Sequence, residues 1–541
     1  MKSVCYLLLL LIATTAFGQS NEFKEKILHQ IASKHYPPTF SAVAAKLRTG
    51  VNRDIALKQL DTLLDREYGD MFWMYGCTGL YLSTKEELPQ SYKKKMRECW
   101  KKCTPYRGDT ENHFLMYYAS LFLLSEEWPN ESADAWFLGK SSTEIHNESK
   151  DYLDFWINRT VRFGQIEFDS PRYLYYFITP LVLLVEYSRD TGMKHKSEMM
   201  LEVLLADYAT MYVNGNFCGA HSRISSDVVF NTRKSEASSY GEYFFEDSVT
   251  HLLPDIAFAA LSSFHIPSII KKIAHQKSKT FVQIEMKRSR DAIRFDKQMS
   301  TPVHKYTYMT PQYALGSIQG GLIQPIQQQS WSLTLNSNQK YNTIFGLHPY
   351  ISETELGKYF PEEPSFMLEK IEGVKNGYTS ENKWVGGSPC EKICQDTNQL
   401  WCKYNISTEI RSQHVDIFLP DWGVFLKKDQ DQYLIQYDSL LVLIEPHTPS
   451  TLTTEAGGLR LRMSVKSSMA GYHLVCMKVG ETLDYRNAME VCDRPSISPD
   501  SLREKKLYDS PFIESVFGSA ILKVKCGTEE RTLDFITNTI R

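Results

Sequence analysis

From about residue 22 to residue 275, apolar residues recur three and four apart with short polar breaks between segments, the period of amphipathic helices. In residues 196–213, Met200, Leu201, Leu204, Leu205, Tyr208 and Tyr212 fall on one face, and Asn214-Gly215-Asn216 supplies a stop. Residues 173–189 and 252–265 repeat the habit, so the spacing predicts an array of paired helices. Past about Lys279 the texture changes to short alternating or β-branched runs, at 280–285, 331–335, 415–419, 433–436 and 440–444, with Gly386-Gly387 and Gly457-Gly458 as breaks. This pattern predicts antiparallel sheet. Helices followed by strands, rather than alternating with them, imply segregated layers or separate domains. The expected division is a helical domain over 20–279 and a sheet domain over 280–541.

The first residues follow neither pattern. Lys2 is followed by an apolar run over residues 5–13 and then by Thr14-Thr15-Ala16-Phe17-Gly18, which reads as a cleaved secretory signal covering 1–19. The run is well short of the roughly 20 apolar residues that span a bilayer. Cys5 stands at its start rather than after it, so no lipid anchor is indicated, and no later segment is apolar enough to span. The mature protein is expected to be exported, secreted or periplasmic.

Composition narrows the function classes. A formal net charge of −3 gives no global field for gripping nucleic acid, which sets DNA and RNA binding aside. Aromatic content is 12%, with 31 tyrosines, enough to build a core and to stack on sugars. The 11 cysteines are too dispersed for a dense disulfide framework. Cys99 and Cys103 lie four apart on a predicted helix, and Cys390, Cys394 and Cys402 cluster in a predicted polar loop with His414 as a conceivable fourth ligand. That spacing matches no tight zinc motif, so no metal and no cofactor are expected.

Three polar clusters stand at the predicted edges of apolar helices: Glu111-Asn112-His113, Glu167-Phe168-Asp169-Ser170-Pro171-Arg172-Tyr173, and Gly219-Ala220-His221-Ser222-Arg223. Each combines groups that move protons or hold anions, and element ends are where such side chains converge on a cleft. Asp109 or Thr110 can cap a helix running through 114–124, which puts Asn112 and His113 in its first turn. The positive end of a helix disfavours a charged imidazole, leaving His113 neutral as a proton acceptor. The plainer alternative is that the pair satisfies backbone groups at a helix start. His221 and Arg223, two apart in an extended segment, can face one side. Asp169 or Ser170, with Pro171 at the first helical position, reads as the cap of the next helix, which leaves Glu167 as a sugar-hydroxyl ligand.

The two-domain layout, together with the Asn112-His113 pair near a helix start, resembles the (α/α) toroid plus β-sandwich polysaccharide lyases, a group that includes alginate, heparin and chondroitin lyase families and uncharacterised exported bacterial members. The likeness is one of architecture over nearly the whole mature chain. The chain departs from the alginate-lyase pattern in having Glu111 before the pair and no Trp shortly after it, so the substrate is not carried over. The resemblance implies a multidomain α then β fold, an incomplete (α/α) toroid followed by an antiparallel β-sandwich. It also implies β-elimination on an acidic, uronate-containing polysaccharide.

Elimination removes a weakly acidic proton beside a carboxylate, whose growing negative charge must be stabilised. His113 or His221 is expected to take the proton, and Asn112 and Arg223 to hold the carboxylate. In related lyases a tyrosine hydroxyl donates to the departing oxygen. Tyr240, after polar residues 235–239 and before Gly241, reads as a loop phenol and is preferred over Tyr173 and Tyr243, which stay on the substrate-binding side with Glu167 and Arg172. His304, near the expected domain junction, resembles the sheet-domain histidine that approaches the cleft in heparinase-like proteins. Two other readings stand beside this one: a glycoside hydrolase using Glu167 and Asp169, and a carbohydrate-binding protein without chemistry.

Overall fold

A computed structural model of the chain describes residues 20–65, 69–102, 110–134, 136, 139–246, 248–289, 302–321, 323, 327–351, 380–480 and 506–541. The expected signal at 1–19 lies outside them, as do Asp109 and Cys103. The helices are α1 (Asn21–Ser33), α2 (Phe40–Thr49), α3 (Arg53–Leu64), α4 (Met71–Thr84), α5 (Gln90–Lys102), α6 (Glu111–Glu127), α7 (Ser142–Phe163), α8 (Tyr175–Tyr187), α9 (Thr191–Met211), α10 (Glu236–Phe245), α11 (Ile256–Leu261) and α12 (Ser268–His275).

They form two layers. Helices α2, α4, α6 and α8 pack side by side in that order, and α11 packs against α2, α4 and α8 to close an inner ring. Helices α3, α5, α7 and α9 pack behind them. The sequence explains which helix goes where. Along α4 and α8 nearly every residue is buried, as a helix enclosed on all sides requires. In contrast, α7 buries one stripe, including Ile145, Leu153, Trp156, Ile157 and Val161, and starts with a capping box between Ser141 and Glu144. Each outer helix returns the chain, so the inner helices run in one sense. The result is an incomplete (α/α) toroid whose inner helices present their first turns at one end.

Two predicted helices shift. Residues 252–265 yield only the short α11, because Pro254 precedes its start and Ser262 ends it, before Pro267 opens α12. Tyr240 lies inside α10 rather than in a loop, because Ser235 accepts from the Ser238 amide and caps the polar stretch into a helix.

A two-residue hairpin, β1 (Tyr212–Val213) and β2 (Asn216–Phe217), ends α9. The sheets follow, with β3 (Phe281–Arg288), β4 (Pro302–Met309), β5 (Tyr313–Ile318), β6 (Trp331–Leu335), β7 (Thr343–Leu347), β8 (Glu391–Asp396), β9 (Gln399–Asn405) and β10 (His414–Pro420). Next come β11 (Val424–Lys428), β12 (Tyr433–Tyr437), β13 (Leu440–Pro446), β14 (Ser450–Glu455), β15 (Gly458–Ser464) and β16 (Met469–Lys478). The last are β17 (Lys506–Asp509), β18 (Ile513–Val516), β19 (Ile521–Cys526), β20 (Glu529–Asp534) and β21 (Thr539–Ile540).

Thirteen strands form one antiparallel sheet in the order β14-β15-β10-β7-β6-β5-β4-β3-β17-β18-β19-β20-β21, and six form another in the order β11-β12-β13-β16-β9-β8. Leu315, Leu333, Ile344, Val415 and Ile417 of the first meet Leu400, Ile435, Val442, Ile444 and Leu474 of the second in one core. Trp331 is part of that core, its indole donating to Tyr472 Oη at 2.7 Å. At the other end of the large sheet, Phe281, Leu507, Tyr508, Leu522 and Val524 join the helical core. The large sheet therefore carries the sandwich at one end and backs the toroid at the other. No helix among the described residues is long and apolar enough to cross a membrane.

Candidate active site

The three polar clusters, far apart in sequence, are tied together by hydrogen bonds. Glu111 Oε2 accepts from the backbone N–H groups of Ile166 and Glu167 at 2.9 and 3.0 Å, and its other oxygen accepts from Arg288 at 2.7 Å. Both the backbone and the side-chain amide of Asn112 donate to Glu167 Oε2, at 2.9 and 2.5 Å. The second Glu167 oxygen is ion-paired with Arg223. Ser222 Oγ donates to the Phe168 carbonyl at 2.7 Å, and Ser170 Oγ donates to the Arg223 carbonyl at 2.5 Å.

Local capping differs from expectation in two places. Thr110 is the N-cap of α6, but its hydroxyl accepts from the Asn112 amide at 2.9 Å instead of capping. Asp169 sits in the left-handed region at φ 48° and sends its carboxylate away from the helix, so Ser170 closes the turn by accepting from the Tyr173 amide at 2.9 Å.

Around this knot, the first turns of the inner helices form a partly exposed cup. His113 of α6 meets Phe72 of α4 edge to face at 5.1 Å, and Phe72 meets Tyr176 of α8 at 4.9 Å. Tyr176 in turn adjoins Tyr75 at 5.8 Å and Tyr173 at 6.1 Å. The Arg223 guanidinium lies over the Tyr173 ring at 4.3 Å, a cation–π contact. Arg172 pairs with Glu236 at the start of α10 at 2.9 Å and with Asp227 at 3.5 Å. Ser41 in the first turn of α2 donates to Asp255, the residue before α11, at 3.4 Å. The cup thus offers rings for stacking, an imidazole, two guanidinium groups and carboxyl groups, under converging positive helix ends.

Of the residues singled out in the sequence, His113, Arg172 and Tyr173 line this cup, and Arg223 stands at its edge, 8% exposed. Others lie elsewhere. Asn112 and Glu167 are behind the wall at 0% and 2% exposure, committed to one another. Tyr240 is buried beneath the floor, its hydroxyl shared with Thr179 at 2.7 Å and donating to the Asp255 carbonyl at 2.9 Å. Tyr243 stacks on Phe23 of α1 at 5.8 Å, also buried. His304 lies on β4 opposite Met286, and burial holds its imidazole below the usual range.

His221 is sealed as well, with Nδ1 at 2.6 Å from the Asp169 carbonyl. Burial pushes its pKa down to about 4, further helped by nearby Lys305 and opposed by the Asp169 and Phe217 carbonyls and the Asp169 charge. It borders a buried charge cluster at the helix–sheet junction. Lys287 reaches Asp207 at 2.6 Å, Glu285 at 3.1 Å and Asp169 at 3.7 Å, while Lys305 pairs with Asp169 and reaches Glu285 at 2.9 Å. Burial, more than the neighbouring Glu285 and Asp169 carboxylates, holds Asp207 well above the usual carboxylate range despite Lys287. Against burial, Lys287 and Lys305 hold Glu285 below that range. Two lysines thus face three carboxyl groups in a space closed to solvent.

Oxygens of Asp169, Asp207 and Glu285 lie within 4.8 Å of one another, a spacing a cation can use. The two lysines already occupy that space with positive charge, so the donor set does not suit a metal. The cysteine cluster is no loop: Ile393 pairs with Cys402 and Cys394 with Trp401 across β8 and β9, which puts Cys394 and Cys402 on opposite faces of the sheet.

Sequence reasoning missed Phe72, Tyr176, Glu236 and Asp255. Only Asp255 had a local signal, the Pro254-Asp255 step ahead of an apolar run, which is a helix start. The rings of the cup read as ordinary core positions.

No protein-family model and no curated protein matches the chain. Among solved structures it is similar to the Streptomyces coelicolor A3 chondroitin AC lyase in complex with chondroitin sulphate, with a TM-score of 0.37 and 9% identity over 93% of this chain and 84% of that one. It is also similar to a tyrosine-to-alanine mutant of the same lyase, with a TM-score of 0.34 and 10% identity over 94% of this chain and 88% of that one. Similarity at this level says nothing of this chain's chemistry.

Proposed function

We propose that the protein is an exported polysaccharide lyase that cleaves a uronic-acid-containing polysaccharide by β-elimination. The observation that carries this reading is the cup, where an imidazole in a helix first turn and a guanidinium seated on a tyrosine ring flank a shelf of partly exposed aromatic side chains. Sugar rings stack on such a shelf. His113 takes the proton beside the substrate carboxylate, and Arg223, held in place by Glu167 and Gln327, faces the carboxylate as its charge grows. Asn112 acts through Glu167 as a positioning residue. His221 does not reach the cup and is not given the base role.

A second reading, a carbohydrate-binding protein without chemistry, is favoured by one feature: both guanidinium groups of the cup already face carboxylates, Arg223 with Glu167 and Arg172 with Glu236. Pairing weakens their pull on a substrate anion. The hydrolase reading loses its named acids, because Glu167 and Asp169 are buried and paired with cations.

One panel of uronate-containing and neutral polysaccharides separates the three. Elimination yields an unsaturated uronate that absorbs in the ultraviolet, hydrolysis yields reducing ends without that chromophore, and a binding protein yields neither. Reducing ends alone, or binding with no new product, would overturn the lyase reading.

A further inference from the structure

The scheme above leaves one carboxyl group of the cup unused. Asp255 stands at the N-cap of α11, yet its side chain makes no capping bond there. Its Oδ1 accepts from Ser41 at 3.4 Å, and among the described residues no donor from another residue meets Oδ2. Asp255 is part-buried rather than sealed. Its backbone is fixed from below by the Tyr240 hydroxyl, which makes Tyr240 a positioning residue rather than a proton donor.

The groups facing it come from four helices. They are Ser41 from α2, Tyr75 from α4, Tyr175 and Tyr176 from α8, and Tyr240 and Glu236 from α10, the last paired with Arg172. Among the described residues no cation pairs with Asp255 itself.

Resting on the reading of the cup as a site of glycosidic cleavage, we propose that Asp255 is the acid that protonates the departing glycosidic oxygen. In the elimination, His113 takes the proton from the carbon beside the carboxylate, and the C–H electron pair becomes the new carbon–carbon double bond. The bond from the β-carbon to the glycosidic oxygen breaks with its electron pair on oxygen, and the Asp255 proton goes to that oxygen. The products are protonated His113 and ionised Asp255, and a proton passed through solvent from the first to the second resets both.

The alternative donors in the cup are phenols. Burial holds Tyr75, Tyr175 and Tyr176 above their usual range, which makes them weaker acids. Burial has the opposite usefulness for a carboxyl: it raises Asp255 to about 6, against a lowering pull from Ser41, so about a tenth stays protonated at pH 7 and more below it.

The test is Asp255→Asn, which keeps the shape and removes the acid. The expected result is a fall in kcat of at least about 100-fold on polymer, with KM within about threefold. The loss should shrink for a uronate carrying a nitrophenyl ether at the departing position, because that leaving group needs no proton. Ser41→Ala keeps the acid but strips a hydrogen bond from its ionised form. It should move the midpoint of the pH–rate profile upward without abolishing turnover.

An Asp255→Asn protein with kcat within about threefold of the parent, or with equal losses on both substrates, would overturn the acid role while leaving the lyase reading intact. If Asp255→Asn does not fold, an unmoved midpoint in Ser41→Ala overturns the role. A parent protein that cleaves no polysaccharide defeats both. Reducing ends without the chromophore, together with the Asp255→Asn loss, would defeat elimination and keep the acid.

Discussion

The cup and the helix–sheet junction lie on either side of one short segment, residues 167–173, and both are made of carboxylates, cations and tyrosines. In the junction, Lys287, Lys305, Glu285, Asp169 and Asp207 are each at most 5% exposed, and every lysine touches at least two carboxyl groups. In the cup, His113, Tyr173, Arg172 and Asp255 keep part of their surface in solvent. Asp169 and Arg172, three residues apart, fall on opposite sides of this divide. The same chemistry therefore has two uses. Buried charges must be paired where they stand and here tie the helical segments to the sheet, whereas charges that keep an open side can meet a ligand.

The hardest blow to this distinction should come from Lys305→Met, which leaves Asp169 and Glu285 facing one ammonium group. A loss of about 3–5 kcal/mol in urea unfolding is expected. A variant as stable as its parent would mean the cluster is no lock.

Next in size is the pH response of His221. Its folded value of about 4 lies below the ordinary 6.5, so its contribution to stability is complete above about 6.5 and is lost as pH falls toward 4. The amount is about 3 kcal/mol. Measured between those limits, the slope of stability against pH should flatten in His221→Gln; an unchanged slope would return His221 to the accessible side of the divide.

On the open side, His113→Ala should cut turnover at least about 100-fold while changing stability by no more than about 1 kcal/mol. Unchanged turnover on a cleaved polysaccharide would reject its role as base. The smallest effect is expected from Tyr173→Ala, which removes a stacking ring and the seat of Arg223 and should raise KM about tenfold with kcat nearly unchanged. A loss confined to kcat would assign Tyr173 to the chemistry instead of the shelf.

Much of this architecture can be read directly from the chain. Period-3.6 spacing marked α9, and short alternating or β-branched runs marked β6, β10, β12 and β13, although the fold buries both faces of β6 and β10 and every residue of α9 from Met199 on. The three polar clusters were also visible, since glycine, proline and histidine at element ends interrupt an otherwise apolar rhythm. Tyr240 was misplaced because serines read equally well as loop or cap, and only the Ser235–Ser238 bond decides between them. Phe72 and Tyr176 carried no signal at all, being apolar positions in apolar helices.

Residue order alone determined that helices come first and strands after, and that polar groups gather at the edges of the apolar helices. Tertiary structure alone decided which of those groups stay wet. Periodicity reports a residue's face on its own helix or strand, but exposure depends on what a distant segment lays over that face, as β3 and β4 do over Asp169 and the ring of first turns does not over His113.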